Sequence, residues 1–185
     1  MEVETSRLTY LLPPAPTILI STIDRNGRKN LAAYDSNMPC SKKPPMVAVA
    51  IRDFQHTYRN IMDVGEFVIG VPSSSMIYEV WKCGNKDEKC EDEFKEVGLT
   101  PVPSEKVKPF RIKECQVNLE CIRKNEIKLG THNIVFGEVI KAYVDNDLFS
   151  ENDIELRKNL DSIHHISKTY FIRKGKEVNL KTKFQ

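Results

Sequence analysis

The sequence predicts a mainly β protein, an antiparallel barrel with a few short helices around it. Two observations carry this. Apolar and β-branched runs of strand length recur along the chain, bounded by turn residues. Helical patterning is confined to short stretches, each followed by a glycine. Many antiparallel strands with little helix close most simply as a barrel.

The elements follow in order. Residues 17–24 (TILISTID) are β-branched and predict a strand. The RNG at 25–27 offers a turn, and 29–34 (KNLAAY) returns as the partner strand. Residues 46–51 (MVAVAI) form a continuous apolar run, as for a strand covered on both faces. Thr57 can cap a helix over 58–64 (YRNIMDV) that stops at Gly65, and 66–71 (EFVIGV) is the next strand. Residues 73–83 (SSSMIYEVWKC) read as a second helix, with serine caps at its start and Gly84 after its end. A short helix over 91–97 stops at Gly98, and 99–109 reads as loop. Long strands resume at 110–122 (FRIKECQVNLECI) and 132–144 (HNIVFGEVIKAYV). Residues 168–180 read as a hairpin turning at Lys174–Gly175.

A chain of 185 residues fits a single domain, 1–185, with room for a real core. Its formal net charge of +2, with both signs mixed along the chain, is no footprint for nucleic acid or an anionic membrane. The basic stretch at 173–183 reads as a solvated hairpin. The polar start (MEVETSRL) is unlike a signal peptide, and the longest apolar run, 44–51, is far short of a membrane span. A soluble, cytoplasmic protein is expected. The five cysteines are odd in number and lack C-x-x-C spacing, which argues against a disulfide framework or a metal cluster. Cys115 and Cys121 alternate with apolar residues and are expected as core residues on one face of one strand.

Phosphate-loop, dinucleotide-turn, zincin and nucleophile-elbow motifs do not occur in the sequence. His56, His132, His164 and His165 lack metal-ligand spacing, so no metal is expected. Two segments are richer. In 52–67 (RDFQHTYRNIMDVGEF) a strand ends at an arginine and a helix begins near Thr57. A guanidinium, a hydroxyl and helix-start amides at one corner suit an anion such as a phosphate monoester; the alternative is a capped helix beside a surface arginine. In 30–45 (NLAAYDSNMPCSKKPP), Asn30, Tyr34, Ser36, Asn37 and Ser41 stand among small residues that let a flat ligand approach the backbone; the alternative is a bulge and loop.

These motifs, in their order, resemble the flavin reductase-like family of FMN-binding split-barrel proteins, which includes flavoredoxin. The order is N-x-A, a polar loop, M-P-x-S, P-P, an apolar strand, H-T-x-x-N-I and G-E-F-V. It continues through KCG, DEFKEVGLTPVPSEKVKPFRIKECQVNLEC, HNIVFGEVIKAYVD and HHISKTYFIRKG, spanning about residues 10 to 175. The resemblance implies a six-stranded Greek-key barrel and a homodimer with one FMN per subunit near the interface. It places Asn30, Ala32, Ala33, Tyr34, Asp35 and Ser36 along the isoalloxazine and counts Asn37 among the cofactor-binding residues. Ser41, Arg52, Thr57 and Asn60 are placed on the ribityl phosphate, His132 beside the nicotinamide and Tyr170 near the flavin. Asp35 stands where the family commonly has serine, and GNKDEKCEDEF lacks the family's S-G.

The activity so implied is that of a flavin reductase, passing hydride from NADH or NADPH to N5 of FMN. The flavin carries the chemistry, and His132 is a positioning group at most. A second implied role is an electron carrier with tightly held FMN and a protein redox partner. A nucleic-acid-binding barrel would need interleaved aromatic and basic residues, which are absent.

Overall fold

The computed structural model describes residues 3–85 and 92–175. The strands are β1 (Ile18–Ile23), β2 (Lys29–Tyr34), β3 (Asn37–Lys42), β4 (Pro45–Ile51), β5 (Glu66–Val71), β6 (Pro101–Val102), β7 (Arg111–Ile112), β8 (Val117–Leu129), β9 (His132–Val144), β10 (Ile163–Ser167) and β11 (Tyr170–Arg173). Seven form one antiparallel sheet in the order β2-β1-β5-β8-β9-β4-β3. Its two edge strands, β2 and β3, are consecutive in the chain and separated only by residues 35–36. That short link brings the two edges together, and the Ala50 N–H donates to the Ser36 carbonyl at 2.9 Å, continuing the β3–β4 ladder into the link. The result is the split barrel.

The helices are α1 (Leu8–Leu11), α2 (His56–Val64), α3 (Ile77–Gly84), α4 (Glu93–Val97) and α5 (Asp153–Asn159). None of them is long and apolar enough to cross a membrane. Glycines with positive φ end α2 and α4, at Gly65 and Gly98, as the sequence indicates.

The six residues of β1 are all buried, because its two faces serve two cores. Ile18 and Ile20 point into the barrel with Val49, Ile51, Phe67 and Cys121. Leu19 points out, beneath α3 and α4, with Leu31, Val80, Phe94 and Ile112. In the barrel, Phe67 lies on the bare backbone of Gly137, where a Cβ would clash with the ring.

Several expectations need correction. The main sheet has seven strands where the resemblance implies a six-stranded barrel; residues 37–42, for which a bulge and loop is the alternative reading, form the strand β3. The bulge is real, at the register shift between Pro39 and Ser41. Double coverage belongs to β1; β4 is only part-buried. The run 110–122 is broken into β7 and β8, because the Asn118 side chain bonds both the N–H (2.8 Å) and the C=O (3.0 Å) of Ile112. Cys115 sits in the resulting turn, in the outer core, while Cys121 lies on β8 in the barrel. Both are buried, but they share no strand.

The serines before α3 form a 3-10 turn without a side-chain cap, and Gly84 is the last residue of α3 rather than its stop. The Ser74 N–H goes instead to the Asp161 carboxylate at 2.6 Å. The late hairpin is β10–β11. It turns at Lys168–Thr169, and Lys174 still pairs with Ser162 on its return arm. Cys90 and residues 176–185 lie outside the described residues.

Candidate functional site

The site is built where β2 meets the start of α2. Ile51 pairs with Asn133, so the next residues outward, Arg52 and His132, meet at the barrel rim. The Arg52 Nε is 3.4 Å from the His132 Nε2, and the guanidinium stands 5.8 Å from the Phe54 ring. The His132 Nδ1 is 2.9 Å from the Thr131 hydroxyl.

Gln55, not Thr57, occupies the N-cap position of α2, and no side chain caps the helix. The Gln55 carboxamide oxygen accepts from the Arg52 N–H at 3.1 Å, which fixes the corner. The first helical bond runs from the Arg59 N–H to the Gln55 carbonyl. The N–H groups of His56, Thr57 and Tyr58 come before it and keep the positive end of the helix open.

Thr57 is drawn inward instead. Its hydroxyl accepts from the Asn30 side chain at 2.9 Å, and Asn30 also donates to the Thr22 hydroxyl at 3.0 Å. Asn60 donates to the same Thr22 oxygen at 3.1 Å. All four residues are buried. This network ties β1, β2 and α2 together and accounts for the polar residues of α2 that face the barrel.

Two clefts flank the outer end of β2. The first, of about 180 Å³, has Asn30, Ala32 and Tyr34 on its floor and the 54–57 corner as one wall. Gly84 and Glu93 form the opposite side. The second, of about 150 Å³, is lined by Ala33, Asp35, Trp81, His165 and Phe171. Tyr34 and Gly84 line both. The Tyr34 hydroxyl is buried without a hydrogen-bond partner between them. Burial pushes it up to about 12 from 10.0, opposed by the nearby Thr57 hydroxyl and helped by the Glu93 carboxylate. It therefore stays protonated and can donate to a ligand in either cleft.

Of the residues singled out in the sequence, Asn30, Ala32, Tyr34 and Thr57 converge on the first cleft, and Ala33 and Asp35 on the second. Asn60 lies buried behind Thr57. Ser36 is exposed and bonds Asp35, while Ser41 is half-buried on β3, away from both clefts. Asn37 points to the Pro16 carbonyl and lines a separate apolar groove of about 850 Å³ between the barrel and α5. Tyr170 is 69% exposed on β11; its neighbour Phe171 lines the second cleft instead. Sequence reasoning misses Trp81, Gly84, Glu93, His165 and Phe171. They come from α3, α4 and the late hairpin, and only the tertiary fold brings them to β2. Among the described residues no group of three or more metal-ligating side chains could hold an ion.

Residues 12–164 match the model of the family described as flavin reductase like domain. An uncharacterized protein of Archaeoglobus fulgidus is 35% identical over 133 residues, which are 72% of this chain and 73% of the relative. Flavoredoxin of Desulfovibrio vulgaris (Miyazaki F) superposes with a TM-score of 0.83 at 28% identity, over 97% of this chain and 96% of that one. Nitrilotriacetate monooxygenase component B from Bacillus cereus superposes with a TM-score of 0.89 at 21% identity, over 97% and 98% of the two chains, a likeness of fold.

Proposed function

The chain belongs to the flavin reductase-like domain family, and from that membership we propose that it is an FMN-dependent oxidoreductase that takes hydride from NADH or NADPH. The observation that carries the FMN reading is the uncapped start of α2 beside Arg52, adjoining a cleft floored by Asn30, Ala32 and Tyr34. A phosphate monoester fits there. Three helix-start amides and a guanidinium supply charge-assisted donors, while Ala32 leaves room for a flat ring against β2. Tyr34 would donate its free hydroxyl to the bound ring. FMN itself supplies the redox chemistry, and the chain binds, orients and shields it. His132, held by Thr131 and beside Arg52, is placed to position a nicotinamide.

Likeness to a flavoredoxin favours a second reading, an electron carrier that keeps its FMN and exchanges electrons with a protein partner. A homodimer is expected under either reading, and the open apolar groove beside α5 supports it. Light scattering on the purified protein tests that state directly. The function is tested by the visible spectrum of the purified chain and anaerobic titration with NADH and NADPH. Yellow protein that NADH or NADPH bleaches rapidly supports the reductase. Yellow protein that is bleached only through a redox protein supports the carrier. A colourless chain that also refuses added FMN overturns both.

A further inference from the structure

Two apolar surfaces outside the clefts at β2 have no cover. The first is the N-terminal arm, where a 3-10 turn (Thr5–Arg7) leads into α1. Leu8, Tyr10, Leu11 and Leu12 are each between 51% and 68% exposed, and neither element buries a residue. Among the described residues the arm's side-chain hydrogen bonding is internal, from the Ser6 hydroxyl to the Glu4 carboxylate at 3.2 Å. A helix this short does not persist in water on propensity alone; it needs a packed face. The second surface is the groove of about 850 Å³ between the barrel and α5, lined by Met38, Val47, Ile69, Leu119, Ile154 and Leu160. The arm leaves the fold at the edge of this groove, which Pro16 and Ser162 also line. The Pro14 carbonyl is 3.0 Å from the His164 Nδ1, and the Pro16 carbonyl accepts from the Asn37 side chain at 2.8 Å. The Thr17 N–H donates to the Ile163 carbonyl at 2.8 Å. Residues 14–17 are thus pinned, and Pro13 and Pro14 stiffen the exit. A stiff, pinned exit directs the arm outward instead of back onto the groove of its own copy.

We propose that this arm is exchanged between two copies of the chain, Leu8, Leu11 and Leu12 of each copy seating in the groove of the other. Leu8 and Leu11 stand three residues apart on one face of α1, and Leu12 follows at its end. A second copy is the occupant because one chain carries both halves of the contact, and a two-fold axis then fills both grooves at once. A stable dimer buries about 1,200–2,000 Å² of surface. Two reciprocal contacts, each setting four large apolar side chains against a groove of this size, are of that order. The inference rests on the homodimer proposed above and names the segment that makes it; it does not depend on the flavin.

The test is light scattering on the full-length chain over a series of concentrations, with two variants. The arm variant carries Leu8→Ser, Leu11→Ser and Leu12→Ser. The groove variant carries Met38→Asp and Ile154→Asp, at side chains 57% and 67% exposed, so neither variant disturbs the core. Each is expected to unfold as cooperatively as the wild type and to raise the dimer dissociation constant at least about a hundredfold, the scale of several buried leucines lost. The two variants mixed in equal amounts should pair again, because one supplies an intact groove and the other an intact arm. A wild-type dimer that the arm variant leaves intact overturns the exchange and spares the homodimer. Two monomeric variants that do not pair when mixed also overturn it, and place the arm on the groove of its own copy. A wild type that is monomeric at every concentration removes the homodimer and the exchange together.

Discussion

The two ends of the segment 52–60 are built from similar polar residues and do opposite work. At one end Arg52 is exposed, its guanidinium facing His132 and Phe54 among the described residues, and the helix-start amides beside it have no side-chain cap. At the other end Thr57 and Asn60 are buried and bonded to β1 and β2. Hydrogen bonds inside the barrel hold the second set in place, and the first set faces outward. A polar residue near a site is therefore a candidate for binding only after its internal partners are counted.

The largest expected effect is on the buried end. Asn30→Ala removes two hydrogen bonds inside the protein and leaves the Thr57 hydroxyl without its donor. Each buried group left unsatisfied costs about 1–3 kcal/mol, so urea unfolding should show a loss of about 2–4 kcal/mol. A loss under about 1 kcal/mol would mean that the network is not structural.

Next is Tyr34, between the two clefts. Its hydroxyl is raised by burial from 10.0 to about 12. A raised folded value means that its contribution to stability is complete below pH 10 and is lost as pH rises towards 12. The loss should be on the order of 2–3 kcal/mol. Burial also raises the thiols of Cys115 and Cys121, so these add to alkaline destabilisation in the same direction. Tyr34→Phe should flatten the fall in denaturation midpoint between pH 10 and pH 12. An unchanged slope would show that the hydroxyl ionises freely in the folded state.

Thr57→Ala should cost about 1–2 kcal/mol through loss of the acceptor for Asn30, not through loss of a cap. Thr57→Ser, which keeps the hydroxyl, should restore most of it. A serine variant as weak as the alanine one would place the effect in the methyl group and its packing. Thiol labelling gives a change of rate instead of energy. Cys40 is exposed, whereas Cys83, Cys115 and Cys121 are buried, so only the first of these four should react in the native protein. Rapid native labelling of Cys121 would contradict the barrel core.

The strands β1, β2, β4, β5 and β9 are legible in the sequence because β-branched runs and turn residues mark them directly. β3 is not, because Pro39 and a bulge at Cys40 hide a strand that exists mainly to pair with β4. The break between β7 and β8 is equally hidden, because a single side chain, Asn118, makes it. At the site, Arg52 and the glycine stop of α2 can be read locally. The inward turn of Thr57 cannot, since it depends on Asn30, 27 residues away. Trp81, His165 and Phe171 carry no local signal at all, and they matter only because α3 and the late hairpin cover the outer face of β2.

The smallest effect on stability belongs to Arg52, and it bears most directly on the central claim. Arg52→Ala removes an exposed side chain and should change unfolding free energy by no more than about 0.5 kcal/mol. The decisive measurement is the affinity of the wild type and of Arg52→Ala for FMN and for riboflavin, which differ by the phosphate. Losing a hydrogen bond to a charged group costs about 1.5–3 kcal/mol, so FMN should weaken about tenfold or more while riboflavin changes little. Equal losses for the two ligands, or none for either, would contradict a phosphate at this corner.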